Sequence, residues 1–261
     1  MATWSSHAPG LSTITRYWAS VCSVGRGRAQ RDGSQEVSVL NISSAHDARA
    51  VRVGGAAWVL MLLYFVAEVV TAAAWPRRYE ATTDSISKLG ATGCDGSASQ
   101  LAVARICSPL HALMNGAFVM TGVLIVVGAV GLRGFLPAGR LRVTALALLV
   151  LAALSAALTG LVPINVDAGL HQIVATPTFV ARNAALAFLA VALFERWRGF
   201  AVWTGSCCLA GMLGTIAIAV PGTSFGATER LALYPFTLWV VSAGVAALMV
   251  SPGRRHPCPR P

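Results

Sequence analysis

Two pairs of polar residues four positions apart stand in apolar surroundings, His111 with Asn115 and Asp167 with His171. On an α-helix this spacing puts both members of a pair on one face. Each pair therefore sets a histidine beside a hydrogen-bonding partner, and histidine can act as a base, a metal ligand or a proton shuttle near neutral pH. Asn165 precedes the second pair, Glu229 and Arg230 are adjacent, and Asp84, Ser85 and Ser87 lie in Asp84-Ser85-Ile86-Ser87-Lys88-Leu89-Gly90, where polar and apolar residues alternate before a glycine. Two readings of these residues are open. They either converge on a shared polar pocket, or they are unrelated interfacial side chains, with Asp167 capping a helix and the serines and Asp84 making local turns.

The elements that must position them follow from composition. Of 261 residues 56% are hydrophobic and 11% charged, and the mean hydropathy is +0.66. A soluble domain carries about a quarter charged residues, so water is not this chain's main solvent. Six apolar runs, residues 54–75, 110–132, 143–164, 171–195, 201–221 and 230–250, are each long enough to cross a bilayer as a helix. The expected fold is an all-α, polytopic transmembrane bundle of six spans. Its expected organisation is a disordered cytoplasmic tail over residues 1–52, a six-helix domain over 53–251 and a second cytoplasmic tail over 252–261.

The net charge of +10 would suggest nucleic-acid binding in a soluble protein. Here the basic residues gather at the ends of the apolar runs. Fourteen Lys and Arg fall on the side that holds both termini and five on the other, counting Arg230 at a helix boundary. The positive-inside rule then puts both termini in the cytoplasm and residues 76–109 outside. Membrane lipid, not nucleic acid, is the expected partner, no protein partner is indicated, and the expected location is the cell (plasma) membrane. The near-exclusive use of Arg over Lys, with abundant Ala, points to a GC-rich, bacterial genome.

Glu68 and Arg182 lie inside spans, where an unpaired charge costs about 2.5–3.5 kcal/mol on insertion scales. They are expected to meet, either as an ion pair tying two helices or as the polar floor of a cavity. Cys94 and Cys107 fall in the 34-residue loop 76–109 and are candidates for a disulfide in an oxidising compartment.

Three stretches resemble one known family: Tyr79 to Gly90 (YEATTDSISKLG), Ser108-Pro109-Leu110-His111-Ala112 through Asn115, and Gly160-Leu161-Val162-Pro163 leading through Asp167 to His171. They are similar to bacterial membrane proteins classed as domain of unknown function 998, and the resemblance covers about residues 55–250. It implies a six-helix integral membrane protein and carries no established activity.

No nucleotide-binding loop, dinucleotide fingerprint or haem-attachment motif is present, and no cofactor is expected. The leading expectation is a multi-pass membrane protein, non-catalytic or of uncharacterised activity, with an outward-facing polar pocket for a lipid head group or small polar solute. The alternatives are an intramembrane metal-dependent lipid hydrolase and a proton-coupled transporter. A metal site would have to combine His111 and His171 with Asp84, Asp167 or Glu229, and a Ser-His-Asp triad would draw on Ser85 or Ser87; no metal ligand set is assigned.

Overall fold

The computed structural model describes residues 36–75, 79–93, 107–136 and 138–250, and the described residues from 47 onward form one compact unit. Among the described residues every regular element is helical: α1 (Glu36–Val59), α2 (Leu62–Ala73), a 3-10 helix (Ile86–Gly90), α3 (His111–Leu132) extended by a 3-10 turn (Arg133–Phe135), α4 (Arg140–Leu161), α5 (Ala168–Leu193), α6 (Arg198–Ile218) and α7 (Phe225–Val250). Where a tail over 1–52 is expected, the backbone is helical from Glu36; residues 1–35 and 251–261 lie outside the described residues.

Six helices are long and apolar enough to span a membrane, over Ala48–Ala73, His111–Phe135, Arg140–Leu161, Ala168–Leu193, Arg198–Ile218 and Phe225–Met249. Several begin three to six residues before the apolar runs do, because Arg140, Arg142, Arg198, Glu229 and Arg230 are charged but helical. The first span combines α1 and α2. Their junction at Leu60-Met61 is held by three-residue bonds, Leu63 N–H to Leu60 at 3.0 Å and Tyr64 N–H to Met61 at 3.1 Å, so the axis continues with a tightened turn.

Neighbours in sequence pack as neighbours in space from α2 through α7. The first span also lies against α7, where Gly55 faces the Gly244 carbonyl and Trp58 meets Trp239 with ring centroids 5.5 Å apart. The bundle is therefore closed. In lipid, where apolar side chains gain little by leaving their solvent, helices associate through close backbone approach and dispersion contacts. Gly122 and Gly160 supply that approach between α3 and α4: a β-carbon at either would overlap the facing carbonyl oxygen of Ala153 or Asn115.

Two spans contain proline, Pro177 in α5 and Pro235 in α7. Proline removes an N–H and unpairs backbone carbonyls one turn earlier. Near Pro177 the neighbouring helix compensates, since the Ser155 hydroxyl donates to the Val174 carbonyl at 2.5 Å.

Gly128 provides the sharpest test of this packing. The buried Trp58 indole lies against it and donates to the Ile125 carbonyl at 3.3 Å. A methyl at position 128 would overlap the indole, which Trp239 blocks from retreating. Gly128→Ala is expected to lower stability by about 1–3 kcal/mol, read as an earlier thermal melt of the detergent-solubilised protein.

Candidate functional site

The polar residues of the spans collect on inward faces at the bundle end that carries residues 79–93. On α2, Tyr64, Glu68 and Thr71 recur at helical spacing and are buried, while Leu62, Leu63, Val66, Val69 and Val70 face outward. His171, Thr178 and Arg182 form a similar buried stripe on α5, and Glu229 and Thr237 one on α7. This is the inverse of a soluble amphipathic helix, and it builds a polar interior inside an apolar shell.

Residues 79–93 close that interior as a latch. Ile86 and Leu89 of the 3-10 helix are fully buried and pack with Tyr64, Ala67, Met114, Ala117, Phe118 and Leu233. The membrane helices grip the latch mainly by its backbone. Glu229 accepts the Ile86 N–H at 2.7 Å, the Asn115 amide donates to the Gly90 carbonyl at 2.9 Å, and the Ala227 N–H donates to the Thr82 carbonyl at 2.8 Å. The Asn165 side chain pairs with both backbone groups of Thr92, at 2.9 and 2.8 Å, as a strand would. Gly90 and Gly226 permit these approaches; a β-carbon would strike the Asn115 amide at the first and the Ala81 and Asp84 carbonyls at the second.

Arg230 is the centre of the latch contacts. Its Nε donates to Glu68 Oε1 at 3.0 Å, and one terminal nitrogen lies 2.8 Å from the same oxygen and donates to the Tyr79 hydroxyl at 2.7 Å. The other terminal nitrogen donates to the carbonyls of Ala81, Gly226 and Asp84 at 2.6, 3.0 and 3.1 Å. Tyr234 donates its hydroxyl to Glu68 Oε1 at 2.8 Å. Tyr79 Oη also lies 3.0 Å from the Ser85 carbonyl. Burial pushes the Tyr79 phenol up to about 12 against the opposing effect of Arg230, so it stays neutral.

The expected Glu68–Arg182 pair is not formed: Glu68 pairs with Arg230. Depth explains the difference. Glu68 and Arg230 each lie five residues inside their helix ends, about 7.5 Å at 1.5 Å per residue, whereas Arg182 is fourteen residues into α5, about 21 Å. Arg182 is 6% exposed, its guanidinium stacks 5.1 Å from the Phe236 ring centroid, and its Nε has no hydrogen-bond partner among the described residues. Six more buried oxygens lack partners among the described residues, three of them on α2: Tyr64 Oη, Glu68 Oε2 and Thr71 Oγ1.

The two histidines have separate surroundings. His171 Nδ1 lies 2.6 Å from the Val162 carbonyl and Nε2 lies 2.9 Å from Ser87 Oγ. His111 instead turns to its own helix start, with Nδ1 2.9 Å from the Ser108 carbonyl. Asp167 caps α5 by accepting the Leu170 N–H at 2.9 Å. Among the described residues no three His, Cys, Asp or Glu side chains come together as metal ligands. Cys107 is disulfide-bonded, and Cys94 lies outside the described residues. Tyr79 and Tyr234 hydrogen-bond within this network and Tyr64 Oη lies unpartnered beneath it; the spacing of the polar pairs marks none of the three.

A closed bundle of six apolar helices around a polar interior defines a multi-pass helical membrane protein. The chain belongs to the family described as protein of unknown function DUF998, whose family model matches residues 59–246. That match contains the latch and every site residue from Glu68 to Arg230. No curated protein and no solved structure matches the chain.

The network makes two expectations. Arg230→Met strands the buried Glu68 carboxylate and should cost about 3–5 kcal/mol, whereas Arg230→Met combined with Glu68→Leu should recover much of that loss in chemical denaturation. The second concerns Asp84, whose carboxylate accepts the Glu80 N–H at 3.0 Å and pairs with Lys88 at 2.8 Å. Burial raises its pKa, but Lys88 and the Glu80 N–H outweigh burial and hold it below the ordinary 3.8. Its contribution is full above the ordinary carboxylate range and is lost as pH falls through the lowered value. Hydrogen exchange at the Glu80 amide should therefore be faster in Asp84→Asn than in wild type from about pH 5 to 8, the two converging only below about pH 4.

Proposed function

We propose that this protein sits in the cell (plasma) membrane with both termini cytoplasmic, and binds a ligand with an anionic group in the polar interior behind the outward-facing latch. The ligand is a lipid head group or a small polar solute. The excess of basic residues at the opposite end of the bundle supports the orientation.

The observation that carries the reading is Arg182. A guanidinium buried in the middle of a span, with an aromatic ring on one side and no carboxylate partner among the described residues, is costly to maintain. Arginine presents a planar set of donors suited to carboxylate or phosphate. Orphaned buried polar atoms call for an explanation, and Tyr64, Glu68 and Thr71 add three of them. The latch supplies the matching feature: it covers the interior, and beside its Ile86 and Leu89 anchors it is joined to the helices by hydrogen bonds that can be exchanged for ligand contacts. The pocket lining is proposed to comprise Arg182 with Tyr64 and Thr71, under a cover formed by Asp84, Ser85, Ser87, Asn115, Asn165, His171, Glu229 and Arg230. His111 and Asp167 are turned to local helix-end bonds and are left out.

Removing Arg182 should separate binding from stability. Arg182→Met is expected to melt at or above the wild-type temperature without ligand, since the variant no longer buries an unpaired charge. Phosphatidylglycerol and inorganic phosphate, tested separately in zwitterionic detergent, should distinguish lipid from free solute. At about a hundredfold excess over Kd, the effective probe should stabilise wild type by about 2.7 kcal/mol and Arg182→Met not at all. A melt unaffected by both probes, or an equal response in the variant, would remove the proposal.

A further inference from the structure

We infer that Ser87 and His171 form a nucleophile–base pair that transfers acyl groups from carboxylic esters at the latch end of the bundle. The inference goes beyond ligand binding at Arg182 and does not rest on it. A serine hydroxyl is a weak nucleophile until an adjacent base takes its proton, and the base must present an unprotonated nitrogen to it.

The tautomer of His171 follows from its partners. A backbone carbonyl only accepts hydrogen bonds, so the 2.6 Å contact with Val162 requires Nδ1 to carry the proton. Neutral imidazole then has Nε2 as its acceptor, and the Ser87 hydroxyl, 2.9 Å away, donates to it. In a serine triad the acidic member chiefly holds this tautomer and orientation and stabilises the imidazolium. The Val162 carbonyl, at the end of α4, serves the first purpose by fixed backbone geometry and helps the second as a dipole.

Placement agrees with that chemistry. His171 is 3% exposed, on the first turn of α5, so its ring is held by packing. Ser87 is half-buried on the 3-10 helix of the latch, between the fully buried anchors Ile86 and Leu89. A rigid base thus meets a nucleophile on a segment that faces the membrane end. A tie that only fastened the latch would not need a defined tautomer; Asn115 and Asn165 fasten it without any titratable group.

The reaction balances without a cofactor. Ser87 Oγ attacks the ester carbonyl carbon as its proton passes to His171 Nε2, and the bond from that carbon to the alcohol oxygen breaks as the alcohol takes the proton. Water then attacks the acyl-serine, giving one proton to His171, which returns it to Ser87 Oγ as the carboxylic acid leaves.

The test uses the full-length protein in detergent with a fluorophosphonate probe, from which a nucleophilic serine displaces fluoride. Intact mass and peptide mapping are expected to place one phosphonyl group on Ser87. Labelling should vanish in Ser87→Ala, fall about a hundredfold in His171→Gln, and be unchanged in Thr83→Ala, an exposed latch residue outside the pair. Ser87→Cys provides a second route, its thiol expected to react with iodoacetamide at least tenfold faster than the same cysteine with His171→Gln. Folded wild type that takes no adduct on Ser87, or labelling and alkylation rates indifferent to His171, would overturn the assignment.

Discussion

Arg230 shows what the hydrocarbon demands of a charge. With no water to share the work, each N–H donor of a guanidinium in a span has to find an oxygen, and Arg230 finds them in the Glu68 carboxylate, the Tyr79 hydroxyl and three backbone carbonyls. Two of those carbonyls belong to the latch. The loop thus becomes part of the membrane core's polar accounting, held wherever Arg230 is held. Its burial follows from this tie together with Ile86 and Leu89, which bring apolar surface into the gap between α2, α3 and α7.

The same rule makes Arg182 informative. It lies on the same kind of inward stripe, yet among the described residues no side chain or carbonyl completes its Nε. Stacking on Phe236 offsets part of the desolvation cost. The bundle therefore treats its two interior arginines differently: one is saturated and structural, the other is left chemically open. A protein selected for stability alone would replace the second with a well-packed apolar residue at little or no loss.

Much of this architecture is legible in the sequence, and its failures have physical causes. The spans are visible because lipid requires long apolar runs. Their starts are misplaced where charged side chains occupy helical positions, as at Arg140, Arg198 and Glu229, since hydropathy registers charge and not backbone conformation. That error has a consequence: placing Arg230 at a boundary hides its match in depth with Glu68, and Arg182 takes its place by default. The motif Asp84 to Gly90 is visible as a candidate cover, but its grip is not. Alternation suggests side chains reaching down, whereas Ile86, Gly90 and Thr92 are held by their backbone groups, which no residue identity encodes. Asn165 is the exception in kind, its amide mimicking a backbone pair, and only a long-range contact with Thr92 gives it meaning.

The two histidines show how far spacing alone can reach. His111 and His171 have the same sequence setting, each near a helix start with a polar residue four positions away. They differ in what lies across the gap. Ser108 precedes His111 by three residues and its carbonyl takes the ring locally, leaving that histidine occupied with its own helix end. His171 has the α4 terminus on one side and the latch on the other, and its ring bridges the Val162 carbonyl and Ser87 Oγ, while Asp167 caps the helix with the Leu170 N–H. What stands across the gap, not the residue four positions away, separates the histidine that faces Ser87 from the one that does not. The chemistry at this end of the bundle depends on the partners that the fold places across the gap as much as on the imidazole itself.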